Sequence, residues 1–204
     1  MTRACFMAIA LTCLMAAAPP LAAAPAIEIS PKEFDVAATR AAAQAGDPRK
    51  MGELGAALLL GAGVDVDEPQ GVAWLEKAAA RHDNQATVML GMLKLGGRAV
   101  AKDPAAGATL VRKAAERGFA PACSMLAQLH LQGNGVGKSE PEAYKWAIRG
   151  AMQGDAQGQF LTGAMLAAGI GTPADPAEGR RWLRKAADKG HAEAAETLKR
   201  LGGG

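Results

Sequence analysis

Residues 47–82 read DPRKMGELGAALLLGAGVDVDEPQGVAWLEKAAARH, and this stretch decides the fold because its pattern returns three more times. It opens with a run of small and apolar residues at helical spacing, which Gly61 ends. Asp67 then starts a second helix, in which Trp74 lies on the same face as a small alanine four residues later. The stretch therefore predicts one helix-turn-helix unit.

The landmarks of this unit recur every 36 residues without an insertion or a deletion. Two such columns are Trp74, Leu110, Trp146 and Trp182, and Gly61, Gly97, Gly133 and Gly169. The four units have the boundaries 47–82, 83–118, 119–154 and 155–190. A fixed period of this length in a helical pattern is typical of an α-solenoid, in which each helix pair buries its apolar face against its neighbours.

Both ends of the array carry half a unit. Residues 27–46 form a short tail and then a helix-like run, from Lys32 to Ala45, whose alanines align with those of a second helix. Residues 191–204 align with a first helix and end in glycines that we expect to be disordered. A lone helix at each end covers the apolar face of the terminal repeat, so we expect both helices to be caps.

The repeated pattern resembles that of the Sel-one-like repeat family, relatives of the tetratricopeptide repeats. It consists of Leu54-Gly55, Leu58, Gly61-Ala62-Gly63-Val64, Asp67, Trp74 and Lys77-Ala78-Ala79. The resemblance implies an all-α fold: a right-handed αα superhelix, or solenoid, of four 36-residue helix-turn-helix repeats with a half-repeat capping helix at each end. It also implies an adaptor for other proteins, whose first helices line the concave side.

Each joint between helices has its own predicted cap. The N-cap columns are Asp47, Asp83, Phe119 and Asp155 for the first helices and Asp67, Asp103, Ser139 and Asp175 for the second. Phe119 has no side-chain acceptor, so its helix must begin in another way, with Pro121 in the first turn. Ala99 stands where other units have the second glycine of the loop, so we expect the second loop to differ.

The third unit is the weakest by this pattern. Phe119 lacks a capping oxygen, which costs about 0.5 to 2 kcal/mol. Gly150 replaces an alanine within a helix, which costs about 1 kcal/mol. We therefore expect residues 119–154 to open before the other units, and we expect Gly150→Ala to stabilise the chain unless Trp146 uses the space.

Residues 1–26 predict a secretory signal peptide, with a basic residue, an apolar run over residues 4–18 and a zone of small residues. The run is shorter than the about 20 residues of a membrane span, so we expect no span once it is removed. We expect the mature chain to begin between Ala24 and Ile27. The predicted location is the periplasm, with the extracellular space as the alternative.

Removal of the signal peptide leaves 22 of the 23 basic side chains against 20 acidic ones, since only Arg3 is lost. This near-balance gives no support to nucleic-acid binding, which needs a clustered basic face. Cys123 would be the one remaining cysteine, so no internal disulfide can form. Lipoprotein processing at Cys13 is a less favoured alternative, because Thr12 precedes it where glycine or alanine would be expected.

The sequence contains no arrangement typical of catalysis or metal binding. His82, His130 and His191 lie tens of residues apart, and neither H-x-x-x-H nor C-x-x-C occurs in the mature chain. We expect Cys123 to be a small buried hydrophobe, and the three tryptophans to lie in the core. We therefore predict no catalytic residue, no metal and no cofactor, in a protein that is not an enzyme.

Function then depends on the surface of the array, and the most informative positions are those where the aligned first helices differ. These columns change from apolar in the outer units to polar in the middle units. The predicted contacts for a protein or peptide partner are Met92, Lys94, Gln128, His130, Gln132 and Phe160. Such a mixture of polar and apolar groups suits partner binding. We expect a monomer.

The leading hypothesis is an exported adaptor that regulates an envelope sensor or a cell-wall enzyme. One alternative is a secreted effector that binds host proteins. Another is a protein that binds or hydrolyses β-lactams or peptidoglycan fragments, as described for secreted family members with a cysteine pair in every repeat. The absence of those pairs here weakens that transfer.

Overall fold

The computed structural model describes residues 35–202, and this part of the chain contains ten α-helices and no strand. The predicted signal peptide, the tail up to residue 34 and the last two glycines lie outside the described residues. The described residues divide into two compact units, 35–117 and 118–202. The predicted all-α repeat fold is confirmed, because each unit contains two successive helix pairs.

The first unit contains α1 (Val36–Gln44), α2 (Pro48–Leu60), α3 (Glu68–Ala80), α4 (Asn84–Gly96) and α5 (Pro104–Glu116). The pairs α2 with α3 and α4 with α5 pack most closely, and α1 packs on α2. Leu54, Leu75 and Leu93 are completely buried in the core. Trp74 packs against this core from a half-buried position.

The second unit contains α6 (Ala120–Gln132), α7 (Glu140–Met152), α8 (Ala156–Ala168), α9 (Pro176–Asp188) and α10 (Ala192–Arg200). Here α6 pairs with α7 and α8 with α9, while α7 packs on α8 and α10 packs on α9. Leu126, Met165 and Leu183 are completely buried. Trp146 is buried as predicted, whereas Trp182 is half-buried with the Lys185 ammonium 3.9 Å from its ring centre.

The two helices of a pair cross at small residues. A Cβ added to Gly55 of α2 would lie only 2.9 Å from the carbonyl oxygen of Gly71 of α3. A Cβ on Gly163 of α8 would lie 2.8 Å from the carbonyl oxygen of Gly179 of α9. Any side chain would push the two backbones apart, which explains why glycine is kept despite its cost of about 1 kcal/mol within a helix.

The helix ends agree with the predicted caps. Side-chain acceptors bond first-turn N–H groups at Asp47, Asp67, Asp83, Asp103, Ser139, Asp155 and Asp175. Phe119 makes no such bond and Pro121 lies in the first turn of α6, as expected. The helix of the N-terminal half unit begins at Val36 after the cap Asp35, later than the predicted start.

The loop of the second repeat contradicts the expectation that it differs. Ala99 adopts the left-handed region, with φ of 58°, where Gly63 in the first repeat has φ of 73°. The loop is closed by the same backbone bond in both repeats, because the N–H of Asp67 donates to Leu58 at 2.9 Å and that of Asp103 to Lys94 at 2.8 Å. These bonds hold Ala99 in a conformation that costs an L-residue about 1 to 2 kcal/mol.

The expected benefit of Gly150→Ala is also contradicted. A Cβ at Gly150 would lie 2.7 Å from Oγ of Ser124 and 3.2 Å from the carbonyl oxygen of Ala120. The glycine is therefore needed for close packing of α7 against α6. The expectation that residues 119–154 open first stays a prediction, and it now depends on the missing cap at Phe119.

Candidate binding surface

The six predicted contact residues divide into a buried and an accessible group. Met92, His130 and Phe160 expose only 8, 6 and 2% of their surface. Lys94 on α4, and Gln128 and Gln132 on α6, are half-exposed. Gln128 and Gln132 lie four residues apart and so share one face of α6. A partner could therefore contact a substantial part of the side chain only in the accessible group.

His130 is used within its own repeat. Its Nδ1 lies 3.1 Å from the carbonyl oxygen of Gly137 in the loop after α6. A carbonyl oxygen only accepts hydrogen bonds, so Nδ1 carries the proton and donates. The buried imidazole thus holds this loop against α6.

Phe160 occupies a variable position of the repeat, and the equivalent residues are Gly52, Val88 and Ser124. In the unit 118–202, Ser124 and Phe160 of this column each contact the N-cap residue that lies 31 positions further along the chain. Ser124 Oγ donates to Oδ2 of Asp155 at 2.5 Å. The Phe160 ring stacks on that of His191, with centroids 4.7 Å apart and an angle of 19° between the planes. Both side chains are therefore used in contacts between repeats, and the predicted role of Phe160 as an apolar surface contact is wrong for the conformation described.

The contact of Ser124 with Asp155 is part of a tightly packed joint. Asp155 Oδ2 also accepts the N–H of Gly158 at 2.8 Å. A Cβ at Gly158 would lie 2.7 Å from the nitrogen of Ala151 and 2.8 Å from Ser124 Oγ. One carboxylate thus caps α8 and binds α6, at a point where only glycine leaves enough space.

A second inter-repeat contact was not predicted from the sequence. Arg81, at the end of α3, donates from Nη1 to the carbonyl oxygen of Gly46 at 2.6 Å. Lys189, at the end of α9, donates from Nζ to the carbonyl oxygen of Gly154 at 2.5 Å. The sequence does show a basic residue 35 positions after the glycine that precedes a repeat. Which carbonyl oxygen that residue binds, however, depends on how the helix pairs stack.

One set of equivalent positions, at the ends of the four first helices, is accessible in every repeat. This column is Leu60, Gly96, Gln132 and Ala168. Leu60 is 50% exposed, which is unusual for a leucine of α2. In the unit 35–117 the surface therefore combines Leu60 with Lys94, and in the unit 118–202 it combines Gln132 with Gln128.

Cys123 is buried, and His82 and His191 contact other side chains. Burial raises the pKa of the Cys123 thiol, outweighing the opposite effect of Arg149, so the thiol stays protonated and weakly nucleophilic. His82 lies 2.9 Å from the Arg117 guanidinium, and His191 lies 2.8 Å from the Gln157 amide. Across residues 35–202 no group of three histidine, cysteine or acidic side chains could hold a metal ion.

No helix in the described part of the chain combines the length and the apolar character that crossing a membrane requires. Each helix there is a short amphipathic or buried element of 9 or 13 residues.

Comparison with solved structures finds long helical-repeat relatives. A Sel1 repeat protein from Oxalobacter formigenes matches with a TM-score of 0.74 and 31% identity, over 81% of this chain and 48% of that one. The protein c5321 of uropathogenic Escherichia coli, a protective antigen with an SLR fold, matches with a TM-score of 0.76 and 28% identity, over 81% of this chain and 36% of that one. This chain thus spans half or less of the length of either relative.

No curated protein matches the chain. The family model described as Sel1 repeat matches four times, at residues 51–83, 84–119, 120–155 and 156–191. These matches cover most of the chain and agree with the helix pairs of both units. The chain therefore belongs to the Sel1 repeat family.

Proposed function

We propose that this chain is an exported adaptor that binds a protein or peptide partner through the accessible side chains of its first helices. Sel1 repeats mediate protein-protein interaction, and proteins built from them are typically non-enzymatic scaffolds.

One observation carries the choice of surface. Most first-helix positions are buried in contacts within or between repeats, while Lys94, Gln128 and Gln132 remain accessible. A glutamine amide both donates and accepts hydrogen bonds, so it can bind the backbone of an extended segment. The exposed Leu60 adds an apolar contact in the other unit. Polar groups that orient a partner beside apolar groups that anchor it are typical of binding surfaces.

The proposed location is the periplasm, where the partner would be a sensor domain or a cell-wall enzyme. The features of residues 1–26 that are typical of a signal peptide support export. The extracellular alternative, with a host protein as partner, has one observation in its favour, since the E. coli relative is a protective antigen. Fractionation of cells that express the full chain separates the two locations.

The decisive experiment begins with affinity capture from a periplasmic extract, with residues 27–204 as bait. Affinity for the captured partner is then measured for Lys94→Ala, Gln128→Ala and Gln132→Ala. We expect at least one variant to bind about fivefold more weakly, which corresponds to about 1 kcal/mol.

Two changes of exposed residues on the second-helix side serve as controls, Lys113→Ala within α5 and Gln153→Ala at the C-cap of α7. Both should bind like the parent. If the three first-helix variants bind like the parent and a control loses affinity, the partner uses the second helices and the proposed surface is wrong. Circular dichroism establishes that each variant is folded.

A further inference from the structure

The last helix, α10, is held to its unit by an unusual cap residue. In most repeats this column is aspartate, but here it is His191. The N–H of Ala194 donates to Nδ1 of His191 at 3.3 Å. The other ring nitrogen, Nε2, lies 2.8 Å from Oε1 of Gln157 on α8. Since Nδ1 accepts, Nε2 must carry the proton and donate to Gln157, so one neutral tautomer makes both bonds.

The same imidazole covers Phe160. The two rings are stacked with centroids 4.7 Å apart, and Phe160 is only 2% exposed. Ala194 is the one buried residue of α10, whereas α8 buries nine. His191 therefore adds a side-chain bond and a ring contact with α8 to the packing of α10 on α9.

A proton on Nδ1 would remove this arrangement. The nitrogen would become a donor that faces the N–H of Ala194, and the cap bond would be lost. The added positive charge would also lie at the N-terminus of α10, where the helix dipole disfavours cations. Aspartate in the same column has neither problem, because its carboxylate stays an acceptor and is negative.

The charged groups around His191 act in opposite directions. Asp155 at the cap of α8 and Glu193 in the first turn of α10 both favour the protonated ring. On the third element, α9, the charged groups nearest to His191 along the chain are Asp188 and Lys189, whose Nζ donates to Gly154. Burial outweighs the two carboxylates and lowers the pKa of His191 below the ordinary histidine value.

We propose that α10 is an acid-sensitive cap, in which protonation of His191 releases the helix and uncovers Phe160. The inference concerns the chain alone and does not require the proposed partner. The folded state favours the neutral ring, so the contribution of His191 to stability is fully present above the unfolded pKa of about 6.5 and decreases as pH falls below it. Released α10 would give a partner access to an aromatic ring that is closed at neutral pH.

Hydrogen exchange of residues 27–204, followed by mass spectrometry at pH 7.5 and 5.5, tests this directly. After correction for intrinsic exchange rates, the amides of α10 should open about threefold more often or more at the lower pH, as expected for the loss of an N-cap. The amides of α8 should change less. Equal protection of α10 at both values would overturn the proposal.

Two variants identify the titrating group. His191→Asp restores the cap of the other repeats, and its carboxylate titrates near about 4, while His191→Asn gives a cap that does not titrate. In both, the response of α10 to acid should disappear. If the acid response persists in either variant, another group causes it and the proposal is wrong. His82→Asn removes a histidine elsewhere, at a left-handed position that asparagine tolerates, and should leave the response of α10 unchanged.

Discussion

The units 35–117 and 118–202 contain two repeats each, but they depart from the repeat pattern in different ways. The first unit places side chains in the left-handed region, at His82 with φ of 67° and Ala99 with φ of 58°. The second has glycine at every corresponding position. It instead buries polar atoms without hydrogen-bond partners, on Trp146, Gln159 and Thr162, whereas the first unit has one such atom, on Asn84.

The two units therefore contain different sources of instability. A side chain in the left-handed region strains its own backbone, whatever the rest of the molecule does. A buried polar atom without a partner costs free energy because folding has removed its water. A substitution that removes either source of instability should therefore stabilise the chain, and the corresponding change in the other unit should destabilise it.

The largest effect is expected at Gly150. Gly150→Ala introduces a methyl group 2.7 Å from Ser124 Oγ, which is held by Asp155. Overpacking of this kind costs about 1 to 3 kcal/mol, against a gain of about 1 kcal/mol in helix propensity. We expect a net loss of up to about 2 kcal/mol in the free energy of unfolding, measured by urea denaturation.

The matched position in the first unit is Ala114, which is completely buried. Ala114→Gly should also destabilise, because it removes a packed methyl group and lowers helix propensity. Stabilisation by Gly150→Ala would mean that α6 and α7 separate without cost, contrary to this interpretation.

The next effect is expected at Ser124. Ser124→Ala removes the hydroxyl that donates to Asp155 at 2.5 Å and should cost about 1 kcal/mol. It also removes the atom nearest to the added methyl of Gly150→Ala. The double variant should therefore lose less stability than the sum of the two single variants. Additive losses would show that Ala120, and not Ser124, limits the space.

Ala99→Gly tests the strained loop of the first unit. Relief of the left-handed conformation is worth about 1 to 2 kcal/mol, and the more flexible unfolded chain offsets about 0.4 to 1 kcal/mol of it. We expect a net gain of about 0.5 to 1 kcal/mol, seen as a higher melting temperature.

The matched reverse change is Gly135→Ala in the second unit, where φ is 72°. It should destabilise by a similar amount. No change in either variant would argue that the loop adapts by leaving the left-handed region.

The smallest effect is expected at Thr162, which is completely buried and whose hydroxyl has no partner. Thr162→Val keeps the shape of the side chain and should stabilise the chain by about 0.5 kcal/mol. Thr87 in the first unit, in another repeat column, is a control of the same residue type, because its hydroxyl donates to the carbonyl oxygen of Asp83 at 2.6 Å. Thr87→Val should destabilise, so equal effects at the two positions would contradict the role given to the hydrogen bonds.

Much of the fold could be predicted because its determinants are local. The N-cap at Asp83 acts on an N–H three residues away, and the glycine at Gly97 acts on its own backbone. The loop of Ala99 could not be predicted in this way. The backbone bond from the N–H of Asp103 to the carbonyl oxygen of Lys94 holds the loop closed, and this outweighs the preference of alanine for a negative φ.

The candidate site was predicted less well, because accessibility depends on neighbouring repeats. Lys94, Gln128 and Gln132 remain accessible, as a surface contact requires. Met92 and Phe160 have the right chemistry for apolar contacts, but the fold uses them in its interior. The partners of Phe160 and Ser124 lie 31 positions away, a spacing that the 36-residue period does not reveal.

The sequence by itself determined the repeat period, the number of helix pairs and the positions where helices begin and end, since caps, glycines and apolar spacing act over a few residues. Only the tertiary structure decided which variable positions contact the next repeat and which remain accessible. It also decided that Gly150 must stay glycine and that His191 covers Phe160. These outcomes depend on how closely one helix pair approaches the next, a distance set by packing between side chains that are far apart along the chain.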